Sequence, residues 1–248
     1  MPAKPGWIGE LTCIWNLIDA FGMADLRMTA GLWAPAQDSR LKADVPTFQG
    51  LPDLDVGRTH GALEFCTSFH LALDVGAHLG ATSMLLARRF ERVVAFEPMP
   101  DTFEALQRNV AATPNVQPLM LAVGDRARDL EFAHNPKFGH LSHVFRPDMQ
   151  PLLGAKASRV LAQAVTIDSF NFERVSFIRI DVHAFEREVI VGAMLTIARC
   201  RPVILLSMAE EESTAPELIS AVDWLANLGM ERIPDLLPRR GRIYHFPA

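Results

Sequence analysis

Four acids follow, or close, apolar runs that read as strands. They are Asp74 in Asp74-Val75-Gly76-Ala77-His78-Leu79-Gly80, Glu97 in Glu97-Pro98-Met99, Asp125 after Gly124, and Asp181 after Ile180. A carboxylate just past a strand can accept hydrogen bonds from the two hydroxyls of a ribose. Glu97 stands 21 residues beyond Gly76, the spacing at which a nucleoside-binding acid follows a glycine turn. Gly76 and Gly80 permit tight turning and close approach of a ligand, and the helix start beyond them offers N–H groups. Each acid alone has an ordinary reading: a loop cap for Asp74 or Asp125, a solvated side chain for Glu97, a helix N-cap for Asp181. Four in succession point to a site.

Two cofactors place a ribose against an acid, a nicotinamide dinucleotide and S-adenosylmethionine. A dinucleotide turn carries Gly-x-Gly-x-x-Gly, because its second glycine lets the backbone approach the pyrophosphate. Here that place is His78, whose side chain crowds a pyrophosphate but tolerates an aminocarboxylate. Asp74, ahead of the turn, suits a positively charged amino group. The balance favours S-adenosylmethionine over a nicotinamide-dependent oxidoreductase.

The elements that must position these residues alternate. Strands are expected at Leu71–Val75, Val93–Phe96, Leu119–Val123, Phe177–Ile180 and Val203–Leu206. A helix follows from Thr82 to Phe90, and Asp101 with Glu104 reads as a capping box opening the next. Phe185, Val189, Ala193 and Ile197 share one helical face, and Pro216 and Gly229 bracket a last helix. Apolar strands between helices predict an α/β fold with a doubly wound, mostly parallel sheet. Met230–Leu236 and Arg242–Phe246 read as an antiparallel C-terminal hairpin at its edge. Before the sheet, Trp7, Ile8, Leu11, Ile14, Trp15 and Ile18 form an amphipathic stripe, and Ala34 to Arg58 reads as loop with short elements. We expect residues 1–60 to form a helical cap and 61–248 the main domain.

Composition excludes less. The 248 residues carry 24 basic and 29 acidic side chains, a formal charge of −5, which argues against nucleic acid as the main partner. Three cysteines, Cys13, Cys66 and Cys200, make neither a disulfide framework nor a zinc pattern. No run reaches the ~20 apolar residues of a membrane span, and no small-residue cleavage site follows the first apolar stretch, so a cytoplasmic protein without membrane contact is expected. His134, His140 and His143 cluster between the third and fourth strands; with no carboxylate pair beside them they read as a polar substrate loop, and no metal site is expected.

As a set, these strings resemble the FkbM-type S-adenosylmethionine-dependent methyltransferases. The carriers are Asp74 to Gly80, Phe96-Glu97-Pro98-Met99-Pro100, Leu106 with Asn109, Ala122-Val123-Gly124-Asp125, Thr166-Ile167-Asp168, and Arg179-Ile180-Asp181-Val182-His183-Ala184-Phe185-Glu186, with Gly192-Ala193 and Arg201-Pro202 after them. Three departures stand out: His78 for Asn in the glycine turn, His183-Ala184 for Glu-Gly, and Ser207 where the family has Glu. The resemblance implies a Rossmann-like class I methyltransferase fold and O-methylation of a sugar or small natural-product hydroxyl. It implies donor binding by Asp74, Gly76, Ala77, His78, Gly80, Glu97, Pro98, Met99, Asp125 and Asp181, with Glu97 on the ribose and Asp125 on the adenine amine. His183 has the ordinary pKa of a general base, with Asp181 orienting it or meeting the donor's ammonium. Because His183-Ala184 replaces Glu-Gly, a cofactor-binding protein that has lost transfer is the alternative. The N-terminal helix is a candidate surface for a homo-oligomer.

Overall fold

The computed structural model describes residues 24–145, 157–207, 216–233 and 242–247, without the side chains of residues 216–220. The expected N-terminal helix, Cys13 and the link between the two C-terminal runs lie outside the described residues.

The chain enters through two small hairpins, β1 (Leu26–Thr29) with β2 (Leu32–Pro35), and β3 (Thr47–Phe48) with β4 (Leu51–Pro52). Both turn through two residues of positive φ, Ala30-Gly31 (49° and 81°) and Gln49-Gly50 (51° and 76°). That is the turn whose twist matches paired strands. Helix α1 (Val56–Ala62) leads to β5 (Leu71–Val75), α2 (Ala81–Ala87), β6 (Arg92–Phe96), α3 (Pro100–Val110) and β7 (Val116–Leu119). Four strands then form a second sheet: β8 (Ala122–Val123), β9 (Arg128–His134), β10 (His143–Val144) and β11 (Ser158–Val165), in the order β10-β9-β11-β8. The chain returns through β12 (Val175–Ile180), α4 (Glu186–Val191), α5 (Met194–Cys200), β13 (Val203–Leu206), α6 (Pro216–Asn227), β14 (Glu231–Arg232) and β15 (Arg242–His245).

The main sheet runs β14-β15-β13-β12-β5-β6-β7. Strands β5, β6, β7, β12 and β13 are parallel, and β15 runs antiparallel to both its neighbours. Every residue of β5, β12 and β13 is buried, as strands covered by helices on both faces require. The order reverses beside β5, which pairs with β6 on one side and β12 on the other, so Val75 lies level with both Phe96 and Ile180. The residues that follow these three strands therefore converge, the place where such sheets bind ligands.

Several expectations are corrected. The run Leu119–Val123 is two strands in two sheets: β7 closes the main sheet and β8 belongs to the second. The capping box does not form. Pro100 opens α3 behind Met99, Asp101 accepts from the adjacent Thr102 amide, and Glu104 reaches to the Ala24 amide and Arg108. The stripe from Phe185 to Ile197 is two helices with a break at Gly192-Ala193. A Cβ on Gly192 would sit 1.9 Å from the Gly124 carbonyl oxygen, so only glycine lets the chain pass there. Asp168 then caps α5, its carboxylate accepting from the Leu195 and Thr196 amides at 3.0 and 2.8 Å. At the C-terminus β15 is inserted between β14 and β13, so the hairpin extends the sheet through its later strand.

Candidate active site

A cleft of about 630 Å³, counting its open mouth, lies over the convergence of β5, β6 and β12. Its floor carries Gly76, Glu97, Pro98, Met99, Asp181 and His183, all expected from sequence. Leu121, Ala122, Val123, Phe132, Val144 and Phe185 give it one apolar wall, and Arg40, His78, His140 and Gly139 close the opposite end.

The glycine turn is held by the neighbouring strand. The Gly76 and Ala77 amides donate to the Phe96 carbonyl at 3.0 and 2.9 Å. Gly76 has φ of 82°, and a Cβ there would lie 2.0 Å from the Asp181 carbonyl oxygen. His78 takes φ of 51°, a region histidine tolerates better than most residues, and its amide donates to Glu97 Oε2 at 3.0 Å. Asn109 on α3 locks the turn from behind. Its Nδ2 donates to the carbonyls of Leu79 (2.8 Å) and Trp33 (2.9 Å), and its Oδ1 accepts from the Trp33 amide. One side chain thus ties the first hairpin to the glycine turn.

Glu97 is buried, with Oε1 accepting from the Met99 amide at 3.0 Å and Oε2 from His78. Burial pushes its carboxyl up to about 7 against the pull of those two amides. The remaining lone pairs are available to a ligand diol.

Asp181 is organised by Arg179, two residues earlier on β12 and therefore on the same face. Arg179 Nη2 donates to Asp181 Oδ2 at 2.5 Å and reaches Asp55 Oδ2 at 3.4 Å; Nη1 donates to Asp74 Oδ1 at 2.8 Å and the Gly76 carbonyl at 3.2 Å. Burial works to raise the Asp181 carboxyl, but Arg179, then His183 and Arg40, outweigh it and hold it below the usual carboxylate range. Asp55 also pairs with Arg58 and accepts from Ser207 Oγ at 2.7 Å, so Ser207 serves this network.

His183 and Ala184 both have positive φ, 49° and 61°. His183 Nε2 contacts the His140 carbonyl at 2.5 Å, which makes Nε2 the protonated nitrogen.

Four expected residues do not reach the cleft. Asp74 sits within β5, fully buried, and its oxygens are taken by Ser83 Oγ (2.6 Å) and Arg179, so the carboxylate braces the turn from beneath. Asp125 follows β8, in the second sheet, and pairs with Arg128 at 2.9 Å. Ala77 and Gly80 shape the turn without lining the cleft; Gly80 is pressed against Leu106. Of the clustered histidines, only His140 lines the cleft. His134 bonds Ser142 and Asp101, and His143 Nδ1 donates to the Leu141 carbonyl. Among the described residues no group of three His, Cys, Asp or Glu is placed to hold a metal. The Cys66 thiol is pushed up to about 12 by burial, away from reactive chemistry. Sequence reasoning missed Arg40 and Asp55, and gave Asn109 and Arg179 no role beyond carrying the resemblance. Arg179 had a further signal, its i, i+2 spacing to Asp181 on a strand.

The methyltransferase FkbM domain profile matches residues 74–231, more than half of the chain. The chain belongs to the FkbM methyltransferase family. A crystal structure of methyltransferase FkbM from Methylobacillus flagellatus KT superposes with a TM-score of 0.50 at 18% identity, covering 72% of this chain and 44% of that one. At that identity the likeness speaks for the fold, a class I methyltransferase fold. Hexuronic acid methyltransferase AglP of Haloferax volcanii is 26% identical over 120 residues, 48% of this chain and 48% of AglP. AMB antimetabolite synthetase AmbE of Pseudomonas aeruginosa is 23% identical over 280 aligned positions, 90% of this chain and 13% of AmbE. The chain thus spans about half the length of the first relative and a small part of the second. Among the described residues no helix is long and apolar enough to cross a membrane.

Proposed function

We propose that this family member is an S-adenosylmethionine-dependent O-methyltransferase acting on a hydroxyl of a sugar or small natural product. The observation that carries the reading is Glu97, buried on the cleft floor at the end of β6, with its two oxygens oriented by the His78 and Met99 amides. That arrangement suits a ribose diol, with Pro98, Met99 and the Leu121–Val123 segment beside it for an adenine ring. Asp125, two residues beyond Val123 and paired with Arg128, is the acid proposed for the adenine amine. The pairing of Asp181 with Arg179 leaves the other oxygen of its carboxylate for the donor's ammonium. The glycine turn and the Glu97 cradle fit the group, and the name of AglP favours a sugar acceptor.

When bound, S-adenosylmethionine supplies a methyl whose C–S bond breaks with its electron pair onto sulfur as the acceptor oxygen's pair forms the new O–C bond. The chain's part is to orient the hydroxyl and take its proton. With Nε2–H held by the His140 carbonyl, His183 is the cleft side chain we assign to that proton. A nicotinamide dinucleotide is disfavoured because the His78 side chain lines the cleft where a pyrophosphate needs bare backbone. The second reading, a donor-binding protein without transfer, draws on Ala184 standing at φ 61° beside the transfer site.

Calorimetric titration with S-adenosylhomocysteine tests the donor reading, and no binding at high micromolar concentration would sink it. On a panel of sugars and sugar acids, His183→Ala should lower turnover about 100-fold or more. Turnover kept within a few-fold removes His183 from proton transfer, and donor binding with no turnover on the panel favours the second reading.

A further inference from the structure

Arg40, between the two N-terminal hairpins, is the one lysine or arginine lining the cleft among the described residues. Its backbone amide donates to Asp38 Oδ1 at 2.8 Å, but among the described residues its guanidinium has no hydrogen bond or salt bridge. The half-buried guanidinium keeps its five donors open at the cleft. Around it, His140 Nδ1 and His78 Nε2 are buried without a hydrogen-bond partner among the described residues. The two rings meet edge to face at 6.3 Å, and His78 Nε2 lies 3.7 Å from Asp38 Oδ2, too far for a hydrogen bond. Burial first, then the positive field of Arg40, pushes His140 down to about 4, so at neutral pH its ring is an uncharged donor or acceptor.

Most amides of the glycine turn are already committed. Its amides at Gly76, Ala77, His78 and Gly80 already donate to Phe96, Glu97 and Ala77, and Gly80 lies away from the cleft. Asp181, which also lines the cleft, is paired with Arg179 and offers an anion no donor.

We propose that Arg40, with His140 and His78 beside it, forms a carboxylate-binding subsite at this end of the cleft. A planar guanidinium takes a carboxylate through two parallel N–H···O bonds, and the two imidazoles can donate to its remaining lone pairs. Within the methyltransferase reading, on which this subsite rests, two ligands bring such a group: the methionine end of the donor, or a sugar acid as acceptor. A donor carboxylate on Arg40 places the ammonium of the same amino acid towards Asp181, so the two ends of the zwitterion meet opposite charges.

The experiment compares wild type with Arg40→Gln in two arms. The first titrates S-adenosylhomocysteine and 5′-methylthioadenosine, which lacks the aminocarboxylate. The second titrates D-glucuronate and D-glucose into protein saturated with S-adenosylhomocysteine. A donor carboxylate predicts that Arg40→Gln weakens S-adenosylhomocysteine about ten-fold or more while 5′-methylthioadenosine stays within two-fold. An acceptor carboxylate predicts unchanged S-adenosylhomocysteine affinity, with wild type preferring glucuronate over glucose about ten-fold and the variant losing that preference. If wild type binds both adenosine compounds and the variant matches it in both arms, the subsite is overturned. If wild type binds neither adenosine compound, the donor reading falls instead. Equal 5′-methylthioadenosine affinity in both proteins also shows that the variant is folded.

Discussion

Arg179 and Arg40 flank the same carboxylate, Asp181, and are held in opposite ways. Arg179 rises from the central strand β12, is 3% exposed, and has both terminal nitrogens bonded, to Asp74, Gly76, Asp55 and Asp181. Arg40 comes from a segment between hairpins and has no such partner among the described residues. A buried ion cluster with its partners built in is architecture, because separating any one charge leaves the others desolvated and unpaired. An unpaired cation at a cleft is kept for something that arrives. The sheet therefore supplies a rigid half of the site, preorganised by internal pairs, and the N-terminal segment supplies a half completed by ligand.

The largest effect expected from this contrast is on stability. Arg179→Met removes the one cation shared by Asp74, Asp181 and Asp55, and should cost about 3–5 kcal/mol in denaturant unfolding. A loss under ~1 kcal/mol would mean the cluster is hydrated and not architectural.

Glu97 belongs to the rigid half by its bonds but to the ligand by its open lone pairs. Glu97→Gln should weaken S-adenosylhomocysteine about 10- to 100-fold, as expected for losing hydrogen bonds to a charged group. The wild-type pH dependence follows from the raised carboxyl. With a pKa of about 7, Glu97 is mostly protonated at pH 6 and mostly ionised at pH 8. If the ribose hydroxyls donate to the ionised form, affinity should rise about ten-fold across that interval and stay level in the variant. Stability moves the other way. The folded state holds this proton better than the unfolded chain does, so its contribution is fully present below the ordinary carboxyl pKa and is lost as pH rises through about 7. Flat wild-type affinity from pH 6 to 8 would separate Glu97 from the ribose.

These two halves also differ in how far they could be read from sequence. The parallel strands, their order of use and the acids Glu97 and Asp181 follow from apolar runs ending in polar residues. What a strand-end position does not give is side-chain direction. Asp74 stands one residue inside β5 and points beneath the turn towards Ser83, and Asp125 follows a strand whose hydrogen bonds carry it into another sheet. Strands β9 and β11, which build the second sheet, escaped because their buried apolar residues, Leu130, Phe132 and Ala133 in β9 and Ala162 and Ala164 in β11, are few and set among charged and polar ones. The hairpins β1–β4 escaped because two- to four-residue strands leave too little periodicity, and Ala-Gly and Gln-Gly are weak turn signals. Arg40 had no local signal. Its role arises from a fold that returns a residue 31 positions upstream of Leu71, the start of β5, to the cleft.

A smaller effect is expected where the rigid half carries strain. Ala184 sits at φ 61°, which an L-residue with a Cβ tolerates poorly and the family's glycine accepts freely. Ala184→Gly should raise stability by roughly 1 kcal/mol, read from the denaturation midpoint. A loss instead would show that the alanine methyl is used in packing more than its backbone is strained.

The smallest effect is the sharpest test of the comparison. Arg40→Gln removes a charge with no partner among the described residues, so unfolding free energy in the absence of ligand should change by less than about 0.5 kcal/mol. If Arg40→Gln instead destabilised the free protein as much as Arg179→Met, both guanidinium groups would be structural and the division into a paired and an open half would fail. Near-neutral stability joined to a lost carboxylate affinity is the combination that only a ligand-directed arginine produces.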